Sequence, residues 1–213
     1  MVSGPNLNRK ITTEILKLRF DNHILCFDFK KAFLSIALNE IDKNRLLFLW
    51  YKNVDKNDFS VVAYRSLRLP FGLRCSPALL MLGLYKVLII DSASDDENVK
   101  NMKKLVYDLT YMDNGCITAN SLDELGECEN MVEHFFEPYQ FHLQQFVSND
   151  PTLQKELDEK YQTETPKQVK LLGLRYDRED DVISTVPMRL DEKADTKRKI
   201  LSSLASNFDL FQF

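Results

Sequence analysis

Val106-Tyr107-Asp108-Leu109-Thr110-Tyr111-Met112-Asp113-Asn114-Gly115-Cys116-Ile117-Thr118-Ala119, near the middle of the chain, decides how the rest is read. Runs rich in β-branched and aromatic residues flank Asp113-Asn114-Gly115, and Asn-Gly is favoured in two-residue hairpin loops because both central residues need positive φ. The stretch predicts a hairpin with a carboxylate at its tip. Two strands hold such an aspartate rigidly yet leave it open to solvent, a suitable place for a metal ion. Ordinary turn chemistry accounts for the same three residues, so the surrounding sequence has to decide.

Toward the N-terminus, Ile24-Leu25-Cys26-Phe27-Asp28-Phe29 is an apolar run interrupted by one acid. It predicts a buried strand ending in Asp28, then a helical turn through Lys30-Lys31-Ala32-Phe33-Leu34. An aspartate in such a run needs a partner: it caps the next turn, or it sits at a strand end and binds something. Residues 13–20 predict a short amphipathic helix, and residues 46–51 and 60–65 a hairpin. In Leu69-Pro70-Phe71-Gly72-Leu73-Arg74-Cys75-Ser76-Pro77 two prolines and a glycine exclude regular structure. Ser76 as N-cap and Pro77 at the first helical position then launch a buried helix through Leu80, Leu84, Val87 and Leu88, leaving Phe71-Gly72 exposed.

Toward the C-terminus, residues 91–98 predict an acidic surface loop; its Asp91-Ser92-Ala93 lacks the glycine of an aspartic protease signature. Ser121 and Glu124 form a capping box for a helix running to Pro138. A strand over 141–147, a charged helix from Pro151 to Tyr161, a second hairpin over 168–177 and 182–186, and a closing helix over 194–208 with Ile200, Leu201 and Leu204 inward complete the pattern. This order predicts an α+β domain, an antiparallel sheet with helices on one face. If Asp28 ends a strand beside the hairpin tip, the two carboxylates meet, and like charges that close call for cations. Two Mg²⁺ ions roughly 3.5–4 Å apart are the arrangement used in nucleotidyl transfer, although many sheets hold two aspartates.

A net charge of -4 on 213 residues gives no global attraction for nucleic acid, so such binding needs bound cations or a local patch such as Arg65, Arg68, Arg74, Lys167, Lys170 and Arg175. Cys26, Cys75, Cys116 and Cys128 show no zinc spacing with the histidines and predict reduced, mostly buried thiols of an intracellular protein. Residues 1–10 lack the apolar core of a signal peptide, and the longest apolar run, 78–90, contains Lys86 and is too short to span a bilayer. No membrane role is expected.

Cys26-Phe27-Asp28-Phe29-Lys30-Lys31-Ala32-Phe33 resembles the first catalytic motif of reverse transcriptases, Leu69-Pro70-Phe71-Gly72 with Ser76-Pro77 their second, and Tyr111-Met112-Asp113-Asn114 their Tyr-x-Asp-Asp box. The longer patterns Asp-x-x-Lys-Ala-Phe, Phe-Leu-Trp and Tyr-Arg-x-x-Arg-x-Pro-Phe-Gly-Leu are most similar to BEL/Pao LTR retrotransposons. Leu172-Gly173-Leu174-Arg175-Tyr176-Asp177, Thr196-Lys197-Arg198-Lys199-Ile200-Leu201 and Phe208-Asp209 resemble the stretches downstream of the catalytic motifs in those polyproteins. The resemblance implies partial fingers and a polymerase palm over 1–166 and a segment toward the thumb or connection over 167–213. It further implies Asp28 and Asp113 as ligands of Mg²⁺ or Mn²⁺, and an RNA/DNA primer-template with dNTP as partners. By motif position Phe33 lies under the sugar and rejects a 2′-hydroxyl, Phe71 and Gly72 lie along the template and incoming base pair, and Tyr111 opens the box; Phe33 as a core residue and Gly72 as a turn glycine are the plainer alternatives.

Three departures from the pattern predict weak or absent polymerisation. Asn114 stands where the box has its second aspartate, removing a charge from the metal site. Gln145 stands near where related elements carry a lysine placed to protonate pyrophosphate, and glutamine has no titrating proton. The finger strands with basic residues for the triphosphate are expected before residue 1, and RNase H and integrase after residue 213. The sequence therefore predicts a degenerate or partial polymerase copy; its alternatives are a working fragment completed by fingers supplied elsewhere in a polyprotein, and a palm-derived nucleic-acid or protein binding module without catalysis.

Overall fold

The computed structural model describes residues 3–7, 10–90, 96–185 and 195–205. Helix α1 (Ile11–Lys17) leads into strand β1 (His23–Lys30) and two one-turn helices, α2 (Ala32–Ser35) and α3 (Glu40–Lys43). Strands β2 (Leu47–Asn53) and β3 (Asp58–Arg65) precede α4 (Ser76–Tyr85), which runs on as a π-helical turn, Lys86–Ile90. Then come α5 (Glu97–Asp108), β4 (Asn114–Ala119), α6 (Leu122–Phe136), β5 (His142–Ser148) and α7 (Pro151–Tyr161). Strands β6 (Gln168–Leu171), β7 (Leu174–Asp177) and β8 (Val182–Ser184) and helix α8 (Lys197–Ala205) complete the described chain.

β1 is the centre of a three-stranded antiparallel sheet in the order β4-β1-β5. Its side chains alternate between two apolar layers, as a strand buried on both faces must. Leu25, Phe27 and Phe29 enter the main core with Leu80 and Leu84 of α4, Met102 and Val106 of α5, Leu125, Val132 and Phe136 of α6, and Leu157 of α7. Ile24 and Cys26 enter a smaller cluster with Leu18, Leu109, Cys116, Leu171, Leu172 and Tyr176. Each fully buried leucine or phenylalanine contributes on the order of 1.5–3 kcal/mol, so the main core carries most of the stability. The α+β architecture and its helix-covered face are as expected; the second face is covered at one end by α1 and the small β6-β7-β8 sheet, and open at the other, where Asp28 continues the alternation.

Several local expectations change. The segment before the Tyr-Met-Asp-Asn turn is a helix, not a hairpin arm: Met102, Val106 and Leu109 recur at spacings of four and three and all reach an apolar cluster, so burial of a helical face overrides the strand preference of Val, Tyr and Thr. Asp96 caps this helix by accepting from Asn98 N, which leaves 91–95 of the expected loop outside the described residues. Ser76 is not an N-cap; its buried hydroxyl donates to Pro70 O at 2.8 Å and ties the loop to the helix. Helix α4 is not buried all round, since Leu79 and Leu82 are exposed. Residues 168–177 form two strands rather than one, turning at Leu172 and Gly173, both at positive φ, the pattern of a two-residue hairpin loop. In α8, Ile200 and Leu201 are exposed rather than inward, and Leu204 lies outside the described side chains.

The β2–β3 hairpin forms as expected, from Leu47↔Arg65 to Tyr51↔Val61. No third strand joins it among the described residues. Leu47, Leu49 and Val61 on one face and Phe48 and Trp50 on the other are exposed. Of the four cysteines, Cys26 and Cys116 are buried and Cys75 and Cys128 half-buried. Cys116 donates to Cys26 Sγ at 2.8 Å; that bond and burial push the Cys116 thiol well above its ordinary range.

Gly115, expected as half of a turn, lies inside β4 without positive φ, and a Cβ there would collide with the ring of Phe27. Gly115→Ala is therefore expected to lower unfolding free energy by about 1–3 kcal/mol. Urea melts of the two proteins measure it; a loss below about 0.5 kcal/mol would mean that the ring has room to move.

Candidate functional site

β1 and β4 pair antiparallel from His23↔Ala119 to Asp28↔Asn114. The ladder extends one step beyond the strand, where Phe29 N donates to Asp113 O at 2.8 Å. This places Asp113 beside the end of β1 that carries Asp28. The turn is closed by two backbone bonds, Tyr111 N to Asn114 O at 2.8 Å and Asn114 N to Tyr111 O at 3.0 Å. Its central residues are therefore Met112 and Asp113, one step earlier than an Asn-Gly turn would have them, with Met112 at φ +57°. Two-residue loops of this kind favour glycine there, so a methionine is held against its own preference by the flanking pairing. The result keeps a carboxylate at the tip, on a tight turn between a helix end and a strand.

Asp28, Asp113 and Asn114 are brought together, all partly buried. Gln144 Nε2 donates to Asp28 Oδ2 at 2.7 Å, and Asn114 Nδ2 donates to Asp113 Oδ1 at 3.2 Å. Burial raises the Asp28 carboxyl above its ordinary range, the Gln144 bond opposes this, and the nearby Asp113 charge adds to the rise. A carboxylate whose ionisation is opposed by burial, with a second aspartate beside it, suits a cation. Among the described residues no group of three or more His, Cys, Asp or Glu converges, so a cation here would have two carboxylates and neighbouring amides to meet, a poorer set than three carboxylates.

Asp28 and Asn114 border a cleft of about 480 Å³ that also meets Gln145, Thr165, Lys170 and Val169. One wall is the β4-β1-β5 sheet and the other the strand β6 with the residues leading into it. Phe33 and Phe71 form a second grouping: their rings meet edge to face with centroids 4.8 Å apart, Phe33 buried in α2 and Phe71 exposed. Gly72 follows at φ +87° with open space around its Cα, so the turn needs a glycine and nothing fills the space a side chain would take. Tyr111 packs partly buried against the smaller core cluster, anchoring the turn. Asp28 does not cap the helical turn after it; α2 begins from Lys31 in a left-handed conformation.

Sequence reasoning missed Gln144. Its contact with Asp28 depends on the β1–β5 register, Asp28↔Gln144, which shifts by one residue between Cys26 and Asp28; no local signal marks such a shift. Of the basic residues expected as a patch, Arg65 pairs with Glu40, Arg68 donates to Ser35 O and Gln140, and Lys167 pairs with Asp177, Glu179 and Asp180. Those three are engaged within the fold.

Because Asp28 has a higher pKa folded than free, its ionisation opposes folding. That penalty is absent below the ordinary carboxylate range and complete above the raised value. Asp28→Asn is expected to melt at a higher temperature than the natural chain at pH 7 in EDTA, with the difference vanishing as pH falls below the carboxylate range. Equal melting at pH 7 would show that solvent already screens the pair.

A family described as Reverse transcriptase (RNA-dependent DNA polymerase) matches residues 3–176. No curated protein matches the chain. Among solved structures, the fold is similar to that of a foamy viral protease-reverse transcriptase in complex with an RNA/DNA hybrid, with a TM-score of 0.51 and 14% identity. The likeness covers 82% of this chain and 19% of that one, so the chain spans about a fifth of that protein. Among the described residues no helix is long and apolar enough to cross a membrane. With the family match running through the Asp28 strand, the Phe71-Gly72 loop and the Asp113 turn, the chain belongs to the reverse transcriptase (RNA-dependent DNA polymerase) family.

Proposed function

We propose that the chain is the palm, with partial fingers, of an RNA-directed DNA polymerase of the BEL/Pao type whose metal site is weakened. Residues 1–166 form the polymerase body and 167–213 lead toward a thumb or connection. The observation that carries this reading is the meeting of Asp28 and Asp113 at the open end of the sheet, beside a cleft that also reaches Lys170.

Asp28 and Asp113 would hold Mg²⁺ or Mn²⁺. The ion, when bound, supplies charge stabilisation for attack of a 3′-hydroxyl on a nucleoside triphosphate. Asn114 contributes an amide where a third carboxylate would add charge, and its hydrogen bond to Asp113 spends one oxygen of the remaining pair. The exposed Gln145, which also borders the cleft, orients by hydrogen bonding but donates no titrating proton. The Phe33–Phe71 pair is a rigid apolar platform for the sugar of an incoming dNTP, and the unfilled space at Gly72 admits a template backbone. The cleft between the palm sheet and β6 would seat the primer end. The engagement of Arg65, Arg68 and Lys167 in internal pairs weighs against a binding module that relies on them.

Primer extension on an RNA template tests the reading, with Mg²⁺ and then Mn²⁺. The natural chain is expected to extend poorly, and Asn114→Asp to extend about 10²-fold faster, which corresponds to roughly 3 kcal/mol of restored charge stabilisation. Asp113→Ala should abolish what remains. Full extension by the natural chain that survives Asp113→Ala would sink the assignment of the site. Silence from all three, with salt-dependent primer-template binding intact, would favour the binding module instead.

A further inference from the structure

Strands β1 and β5 pair in one register at Leu25↔Ser148 and Cys26↔Val147 and in another at Asp28↔Gln144, Phe29↔Leu143 and Lys30↔His142. From the Cys26 pair to the Asp28 pair, β1 advances two residues and β5 three. An unbroken ladder would have put Gln145 opposite Asp28. The extra residue is a bulge, and Gln145 sits in it at φ +56°, a conformation that glutamine seldom adopts and that surrounding structure must enforce. Its effect is specific: Gln144 takes the position opposite Asp28, and its amide reaches Asp28 Oδ2 at 2.7 Å. Gln145 is turned outward, exposed, at the edge of the cleft.

We propose that Gln144 is a positioning residue for Asp28, delivered to the carboxylate by the bulge at Gln145. A side chain on the sheet could point its carboxylate in several directions; one short hydrogen bond from the neighbouring strand fixes the plane of the group and directs Oδ1 away from β5. Hydrogen bonds to ligating carboxylates tune metal affinity by roughly 10–100-fold. This consequence for metal rests on the polymerase reading, whereas the pairing itself does not.

The test has two parts on the full chain. With ¹⁵N-glutamine labelling, the side-chain amide signal that disappears in Gln144→Ala is Gln144's. It is expected to be shifted from the free-amide region, to move toward it in Asp28→Ala, and to move likewise in Gln145→Val, whose β-branched side chain disfavours the left-handed backbone. It should stay in place in Gln145→Gly. A Gln144 signal indifferent to Asp28→Ala overturns the proposal. Titration with Mn²⁺, read by the loss of the free-ion electron spin resonance signal, should then show at least about tenfold weaker binding in Gln144→Ala, with the folded chain confirmed by its circular dichroism. Binding equal to the natural chain would remove the positioning role. If the natural chain binds no Mn²⁺, the polymerase reading fails by itself, and the amide signal still decides whether Gln144 holds Asp28.

Discussion

The antiparallel register of β1 against β4 is the constraint on which the site depends. Because side chains alternate, a slip of one residue would send Asp28 into the main core and Phe27 into the cleft. The slip is opposed where Phe27 crosses Gly115, directly opposite it in the ladder. The ring fits there only because Gly115 has no side chain, and it then packs on Phe29 and Phe146 at centroid distances of 5.6 and 6.0 Å. One apolar contact in the core thus sets the placement of the polar groups next along the strands.

The opposite wall of the cleft is tied down separately. Gln154, buried in α7, accepts from Ser148 N at 2.7 Å and donates to Phe146 O, Asp158 Oδ1 and Thr165 Oγ1. Arg178 donates to Thr165 O and Pro166 O. These bonds join the end of β5, helix α7 and the entry to β6, so Thr165 faces the cleft from a backbone fixed on both sides. Buried amides with several partners are worth more in rigidity than their number suggests, because losing one partner leaves the others strained or unsatisfied. The cleft is therefore a gap between two braced bodies of one fold.

The legible part of the sequence is its periodic part. β1, the β2–β3 hairpin, the capped α6 begun by Ser121, and α7 begun by Asp150 all announce themselves through alternation or caps, and the structure has them within about two residues. The juxtaposition of Asp28 and Asp113 is also legible, although the arm before Asp113 has the residues of a strand. Val106, Tyr107 and Thr110 favour extended backbone, and only the distant layer that buries Met102 and Val106 selects a helix. Gln144 is not legible at all. A bulge is a property of two strands together, and no residue of β5 announces that Gln145 will take positive φ. Gly115 shows the converse error, since a residue type that is common in turns stands here because a ring needs its space.

The site also shows how far amides can stand in for charge. Gln144 and Asn114 each give one hydrogen bond to an aspartate, and in Asp28 that bond lowers the pKa. Burial nevertheless wins: the net shift is upward, and the charge of Asp113 pushes the same way. A dipole placed at hydrogen-bond distance compensates part of a buried charge, whereas a cation compensates it in full and acts on both carboxylates at once. The fold thus leaves Asp28 under-compensated with both amides in place. Lys160 sits between Glu129 and Glu133, and Lys167 among Asp177, Glu179 and Asp180, whereas Asp28 and Asp113 take their hydrogen bonds from the neutral amides Gln144 and Asn114 at an open cleft edge.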